Sequence, residues 1–358
     1  MSQCSQCRSV PTRLPSKGSL ILVGLSMEES ATLAASLSVY GIVPKTVESE
    51  FQSIELSEGC FEIVLDWARL MSDRVLAECR YLVLPHGEAL SFSNVSRAQP
   101  LSGLVKRLKN DWVLEMIRDD RFTTYYQPIV DAANPDKIYA HECLMRGLAK
   151  DGNIVSPGQV LDAADEEGMM FHLDRICRLR AIDGFASQGV DGKAFINFNP
   201  TSVYNPVACL QSTVAAAKAV GLKPDQIVFE LIEREHVADE DHLLRVVNFY
   251  RAAGYGIALD DVGAGYSGLN LLSMLMPNYI KLDMHLIRGV DQDSAKQSIV
   301  RNLLQMARSL NIRTIVEGVE TKEEYEFARQ EGADLVQGYL FAKPAATAKG
   351  ARGSSIAA

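Results

Sequence analysis

Short apolar runs and amphipathic helices take turns along most of this 358-residue chain, and that alternation restricts its fold more than any other feature. Between residues 121 and 345 the runs Ala194 to Phe198, Ile227 to Leu231, Ile257 to Leu259, Tyr279 to Leu282, Thr314 to Val316 and Leu335 to Leu340 alternate with helical stretches. Asp239 to Ala253 carries Leu243, Val247 and Tyr250 on one face and stops at Gly254. A second helix carries Ile299, Leu303, Met306 and Leu310, and a third opens with the capping box Thr321-x-x-Glu324 and ends before Gly332. Serial strand–helix units predict a TIM-type (β/α)8 barrel. The doubly wound open sheet is the main rival, but no GxGxxG follows a first strand.

A smaller α/β domain is expected over residues 18–100: strand Leu20 to Leu25, helix Glu28 to Leu37, strand Phe51 to Leu56, helix Phe61 to Met71 and strand Tyr81 to Pro85. Nothing in it has catalytic spacing, and its position suggests a sensory or regulatory role. Residues 101–120 read as a connector helix with Leu101, Leu104, Leu108, Val113 and Met116 toward the core, docking the first domain onto the second. Residues 1–17 form a frayed lead-in, and 346–358, in the small polar stretch Ala345 to Ala358, a flexible tail.

The chain carries a formal net charge of −9, which argues against binding a nucleic-acid polymer through a basic footprint. A small phosphate-bearing substrate remains open, because divalent ions would invert the local charge. No apolar run approaches the roughly 20 residues a membrane span needs. Leu20 to Leu25, behind Arg8, Arg13 and Lys17, is too short for a signal peptide, so a cytoplasmic protein is expected. Seven scattered cysteines fit a reducing compartment, Cys60, Cys79, Cys143, Cys177 and Cys209 as small buried hydrophobes. Cys4 and Cys7 form a CxxC without the second ligand pair a structural zinc site needs.

The chemistry lies where the strands end. Asn197 closes the run from Ala194, Glu230 the run from Ile227, and Asp260-Asp261 the run from Ile257. Lys281 follows Tyr279-Ile280, Glu317 follows Ile315-Val316, and Gln337 follows Leu335-Val336. In a barrel these positions converge on one mouth. Two carboxylates about 4 Å apart repel by roughly 4 kcal/mol at an effective dielectric near 20, which a cation relieves. Adjacent strand residues face opposite sides, so Asp260 and Asp261 share a site only where the strand breaks; Gly263, Gly265 and Gly268 supply the break. Oxygen donors without paired His or Cys suit Mg²⁺ or Mn²⁺ rather than zinc, and two such ions would clamp an in-line phosphoryl displacement. Lys281 would be a point charge for a phosphate oxygen or the nucleophilic water. Each residue also has a plainer use: Asn197 satisfying backbone groups, Lys281 pairing with Glu317, Glu230 and Glu233 capping the following helix.

The order and spacing of these residues resemble the EAL domain, a phosphodiesterase module acting on cyclic di-GMP. The signature stands here as Glu142-Cys143-Leu144 with Arg146. Around it lie Gln127-Pro128-Ile129, Asn197 within Phe195 to Pro200, Glu230-Leu231-Ile232-Glu233, Asp260 to Ser267, Lys281-Leu282-Asp283, Glu317 to Glu320, Gln337-Gly338-Tyr339 and Lys343-Pro344. The resemblance implies a modified barrel with one strand reversed. It implies that Glu142, Asn197, Glu230 and Asp260 hold one metal ion, and Asp261 and Glu317, with Asp260 bridging, a second. Lys281, Glu317, Asp261 and Glu142 would carry the catalysis. Gln127, Leu144, Arg146, Asp283 and Gln337 would contact substrate, and Glu233 would pin the loop Val262 to Ser267, which the family couples to a dimer interface. The sequence departs from the usual pattern at Cys143, Asn199, Ile232, Val262 and Ala264, leaving the ligand set intact but altering the loop.

The expected function is metal-dependent hydrolysis of cyclic di-GMP to linear pGpG in a homodimer, set by the first domain. The rivals are a catalytically silent EAL receptor that binds the nucleotide or a protein partner, and a barrel hydrolase for another phosphoester.

Overall fold

A computed structural model describes residues 10–47, 51–200, 203, 206–232, 239–263 and 268–350. The described chain divides into two compact units, residues 10–119 with 160–169 and residues 120–159 with 170–350.

The first unit is built from β1 (Gly18–Val23), α1 (Met27–Ser38), β2 (Lys45–Val47), β3 (Phe51–Glu55), α2 (Cys60–Ala68), α3 (Asp73–Glu78), β4 (Arg80–Pro85), α4 (Phe92–Val95), β5 (Gln99–Pro100) and α5 (Leu101–Arg118). Its strands form one antiparallel sheet in the order β2-β3-β1-β4-β5. Alternation along β1 and β3 sends Leu20, Leu22 and Ile54 to one face, where they meet Leu33 of α1, Trp67 of α2 and Leu104 of α5. Trp67 is fully buried, and its indole N–H donates to Thr32 Oγ1 at 3.3 Å. Ser26 and Glu29 cap α1 reciprocally. The lead-in has no regular structure at residues 10–17, yet it is tied down rather than frayed. Arg118 donates to the Pro11 carbonyl at 2.6 Å and Arg107 to that of Thr12, because an irregular backbone must still find donors for its carbonyls.

The second unit runs through β6 (Phe122–Asp131), β7 (Ile138–Leu148), β8 (Ile154–Val155), α6 (Pro157–Glu166, mostly in the first unit), α7 (Met170–Gln188), β9 (Lys193–Phe198), α8 (Pro206–Ala219), β10 (Ile227–Ile232), α9 (Glu240–Ala252), β11 (Gly256–Val262), α10 (Gly268–Leu275), β12 (Tyr279–Leu282), α11 (Met284–Ile287), α12 (Ser294–Ser309), β13 (Arg313–Val316), α13 (Lys322–Gln330) and β14 (Leu335–Val336). Eight strands close in the order β6-β14-β13-β12-β11-β10-β9-β7, with β7 returning to β6. All neighbours are parallel except at β6, which runs antiparallel to both β14 and β7. The short turn Ala132 to Lys137 forces this, since a hairpin can join only antiparallel strands.

Outside the barrel, residues such as Phe198, Phe229, Leu259 and Val316 pack under the helices. Phe229 stacks on Tyr250 of α9 with ring centroids 3.9 Å apart.

The run from Leu335 to Leu340 is strand only at Leu335–Val336, because Gly338 turns the chain against Val319, whose N–H donates to the Gln337 carbonyl. Residues 345–350 do not behave as a flexible tail. Ala345 exchanges both backbone hydrogen bonds with Tyr126, Ala348 is buried, and His141 Nε2 lies 3.1 Å from the Lys349 carbonyl. The short β14 leaves this stretch of β6 unpaired, and the chain end fills it. Cys60, Cys79 and Cys143 are buried free thiols and Cys177 is half-buried, whereas Cys4, Cys7 and the side chain of Cys209 lie outside the described residues.

Candidate active site at the barrel mouth

One buried apolar residue from each strand lines the barrel: Ala140, Phe195, Val228, Ala258, Tyr279, Ile315 and Leu335 from the seven parallel strands, and Ile129 from the reversed β6. Side chains alternate along a strand, so the next inward position lies two residues on. Those positions are Glu142, Asn197, Glu230, Asp260, Lys281, Glu317 and Gln337. On β6 the same level is reached two residues back, at Gln127, which pairs in register with Glu142. A polar ring therefore sits on an apolar floor, at the carboxyl ends of the parallel strands.

Asp261 joins the ring by breaking the alternation. The β11–β12 register shifts between Leu259 and Val262, and Asp261 takes a left-handed backbone with φ of 55°. Its N–H donates to Asp260 Oδ1 at 2.9 Å. The bulge lets consecutive carboxylates reach one place, at a backbone strain of about 1–3 kcal/mol. Gly318 permits the matching approach on β13: its φ is 66°, and a Cβ there would stand 2.4 Å from that of Met284.

Lys281, buried at 1% exposure, is the centre of charge. Its Nζ lies 2.7 Å from Glu317, 2.8 Å from Glu230, 3.2 Å from Asp260 and 3.6 Å from Glu142. Burial works against the ammonium, but those four carboxylates outweigh it and hold its pKa well above the ordinary lysine value. The Glu230 carboxyl is pushed well above its ordinary range by burial, with Glu142 and Asp260 adding to the rise and Lys281 opposing it. Glu317 is raised for the same reasons, burial first. Among the described residues, Glu230 Oε2 meets no donor and Oε1 has only the Lys281 ammonium.

Two groups of carboxylates bring oxygens within 4.8 Å of one another: Glu142, Glu230 and Asp260, and Asp260, Asp261 and Glu317. One ammonium is too little charge for five acids, and a buried carboxylate oxygen without a donor is costly. An all-oxygen donor set of this kind fits hard divalent cations.

Amides complete the ring. Gln337 Nε2 donates to Glu142 Oε2 at 2.7 Å and to Gln127 Oε1 at 3.2 Å, Gln127 donates to the Ala342 carbonyl, and Asn197 Nδ2 donates to Glu142 Oε1 at 3.3 Å. Leu144 and Arg146 continue the Glu142 face toward the rim, both half-buried. Arg146 lies over the Tyr125 ring, 5.0 Å from its centroid, and Lys343 over that of Tyr339. Tyr125 was not among the sequence candidates, although its spacing of two from Gln127 places it on the same face. The Asp283 carboxylate accepts from the His285 N–H and pairs with His285 Nδ1, both at 2.8 Å, capping α11. Glu233 and residues 264–267 of its loop lie outside the described residues.

Residues 110–344 match the family model of the EAL domain. The chain belongs to the EAL family. The probable cyclic di-GMP phosphodiesterase PdeG of Escherichia coli K12 is 30% identical over 235 residues, 64% of this chain and 45% of that protein. The blue light- and temperature-regulated antirepressor BluF of the same organism is 30% identical over 61% of this chain and 53% of its own length. The chain thus spans about half the length of these relatives. Among solved structures, a standalone EAL protein of Vibrio cholerae O395 in its c-di-GMP-bound form superposes with a TM-score of 0.58 at 36% identity, covering 65% of this chain and 96% of that one. The reversed strand and closed eight-stranded barrel are those expected of an EAL domain. No described helix is long and apolar enough to cross a membrane.

Proposed function

We infer that this protein is a metal-dependent phosphodiesterase that opens one phosphodiester of cyclic di-GMP to give linear pGpG. The observation that supports the reading is the clustering of carboxylates at the mouth: Glu142, Glu230 and Asp260, and Asp260, Asp261 and Glu317, bring oxygens within 4.8 Å of one another, with Asn197 against Glu142. Glu142, Asn197, Glu230 and Asp260 would hold one Mg²⁺ or Mn²⁺, and Asp260, Asp261 and Glu317 a second. Such ions would supply Lewis-acid polarisation of the scissile phosphate and a more acidic attacking water. Lys281 would act as a positive charge that orients water or phosphate. Glu317, Asp261 and Glu142 would share the catalysis with it as ligands of the ions. Gln127, Leu144, Arg146 and Gln337 position substrate along the rim; Asp283 shapes it through the α11 cap.

The reading extends to a cytoplasmic homodimer formed through the EAL domain and gated by the N-terminal unit. The 358-residue chain with Mg²⁺ or Mn²⁺ should convert cyclic di-GMP to pGpG, resolved by ion-pair chromatography, and Glu142→Gln should abolish turnover. Tight binding of the nucleotide without turnover would overturn the enzyme reading in favour of a silent receptor.

A further inference from the structure

We propose that a buried ion pair on α7, Asp174 with Arg178, is the positioning device for Asn197, an inference that rests on the metal-site reading above. Neither residue lies in the mouth. Arg178 is fully buried and Asp174 nearly so, one helical turn apart, and they form a direct ion pair. The pair faces the point where β9 ends. Asp174 Oδ1 accepts the backbone N–H of Asn199 at 3.0 Å, and the Arg178 guanidinium lies over the Phe198 ring, 5.1 Å from its centroid. Arg178 Nε donates to Thr213 Oγ1 of α8 at 3.3 Å, which anchors the clamp from a second helix.

The pleat converts this grip into a direction for Asn197. Consecutive side chains on a strand point to opposite faces. Phe198, held outward between Arg178, Tyr250 and Phe229, obliges Asn197 to point inward at Glu142. Asn199 is where the strand would begin to fray, and the Asp174 carboxylate holds its N–H. Asn197 is a neutral, weak donor among carboxylates, so its contribution to an ion depends on being aimed beforehand. A pair meant only to tie α7 to α8 would have no need of the β9 backbone.

The test separates aim from stability. A single Asp174→Ala change strands a buried guanidinium and endangers folding, whereas replacing a buried ion pair by apolar groups of similar volume is often tolerated. Three forms of the 358-residue chain are compared: unaltered, D174L/R178M, which lacks the acceptor for the Asn199 N–H, and D174N/R178M, which restores one. Mn²⁺ affinity is read from the electron paramagnetic resonance of free Mn²⁺ well below melting, alongside Tm. D174L/R178M should bind Mn²⁺ on the order of tenfold more weakly than the unaltered chain, and D174N/R178M, which regains the acceptor but not the guanidinium over Phe198, should fall between the two. Equal affinity in all three, with Tm alone lowered, overturns the proposal. If D174L/R178M does not fold, Asn199→Pro, which removes the N–H and keeps the pair, must show the same loss or the proposal fails. No Mn²⁺ uptake by the unaltered protein would sink the metal-site reading itself, and this inference with it.

Discussion

Replacing Lys281 by Met isolates the electrostatic logic of the mouth. The side chain keeps most of its volume and loses the ammonium that lies 2.7–3.6 Å from Glu317, Glu230, Asp260 and Glu142. Each attraction is worth roughly 4 kcal/mol gross at an effective dielectric near 20, set against a desolvation of several kcal/mol for each buried ion. What remains on removal is an uncompensated cluster of buried carboxylates, a situation that costs about 3–5 kcal/mol. For a unit of this size that lowers the barrel transition by about 6–20 °C in scanning calorimetry of metal-free protein.

The loss should depend on pH. Glu230 and Glu317 already have raised pKa values in the folded state, so they favour folding below their ordinary unfolded value and lose that contribution as pH rises through the folded one. Without the ammonium both rise further, and the gap between variant and parent should narrow as pH falls from about 8 toward 5.5. Divalent ion should narrow it too, because the variant has lost the competing ammonium and should bind the ion more tightly, each tenfold gain in affinity closing the gap by about 1.4 kcal/mol at saturation. A metal-free variant that melts within about 2 °C of the parent at pH 8 would refute the reasoning.

Other outcomes follow from single contacts. Glu324 is buried and accepts the N–H groups of Gly289, Glu320 and Thr321, stapling the loop that follows Glu317. Burial alone would raise its carboxyl, but these donors and Arg288 hold it below the ordinary value. Its contribution is therefore present above the unfolded pKa and fades as pH drops through the depressed one; Glu324→Ala should cost about 2–3 kcal/mol in urea unfolding at pH 7, and a loss below about 0.5 would contradict the contact. Gly338→Ala should cost at least about 3 kcal/mol or abolish soluble expression, because its Cβ would stand 2.0 Å from the Val319 carbonyl oxygen; a folded variant with unchanged Tm would be the contrary result. Asp261→Gly should leave metal-free protein as stable or up to about 1 kcal/mol more stable while abolishing turnover of cyclic di-GMP, since glycine adopts a φ of 55° freely and carries no carboxylate. Destabilisation by more than about 1 kcal/mol in chemical denaturation would mean Asp261 is structural.

Local pattern carried much of this protein into view. The apolar runs marked β9 to β13 within a residue or two at most ends, and the helix from Leu101 to Arg118 and the Thr321–Glu324 cap lie where periodicity and capping chemistry put them. Such signals survive in sequence because strands, helices and caps are made by residues close in the chain. Gathering the strand-end residues at one mouth also followed, since barrel geometry sends every such position to one rim.

Folding in three dimensions decided the rest. Asp174 and Arg178, spaced by four on a helix, look in sequence like an ordinary surface pair; only the packing of α7 on β9 buries them. The docking of Ala345 on Tyr126 joins residues more than two hundred apart and leaves no local trace. The same holds for Lys281, whose four acidic neighbours come from four other strands or strand ends. A sequence records which side chains lie two or four residues apart. Which distant ones share a dielectric, and so compete for one ammonium or one ion, is settled only when the barrel closes.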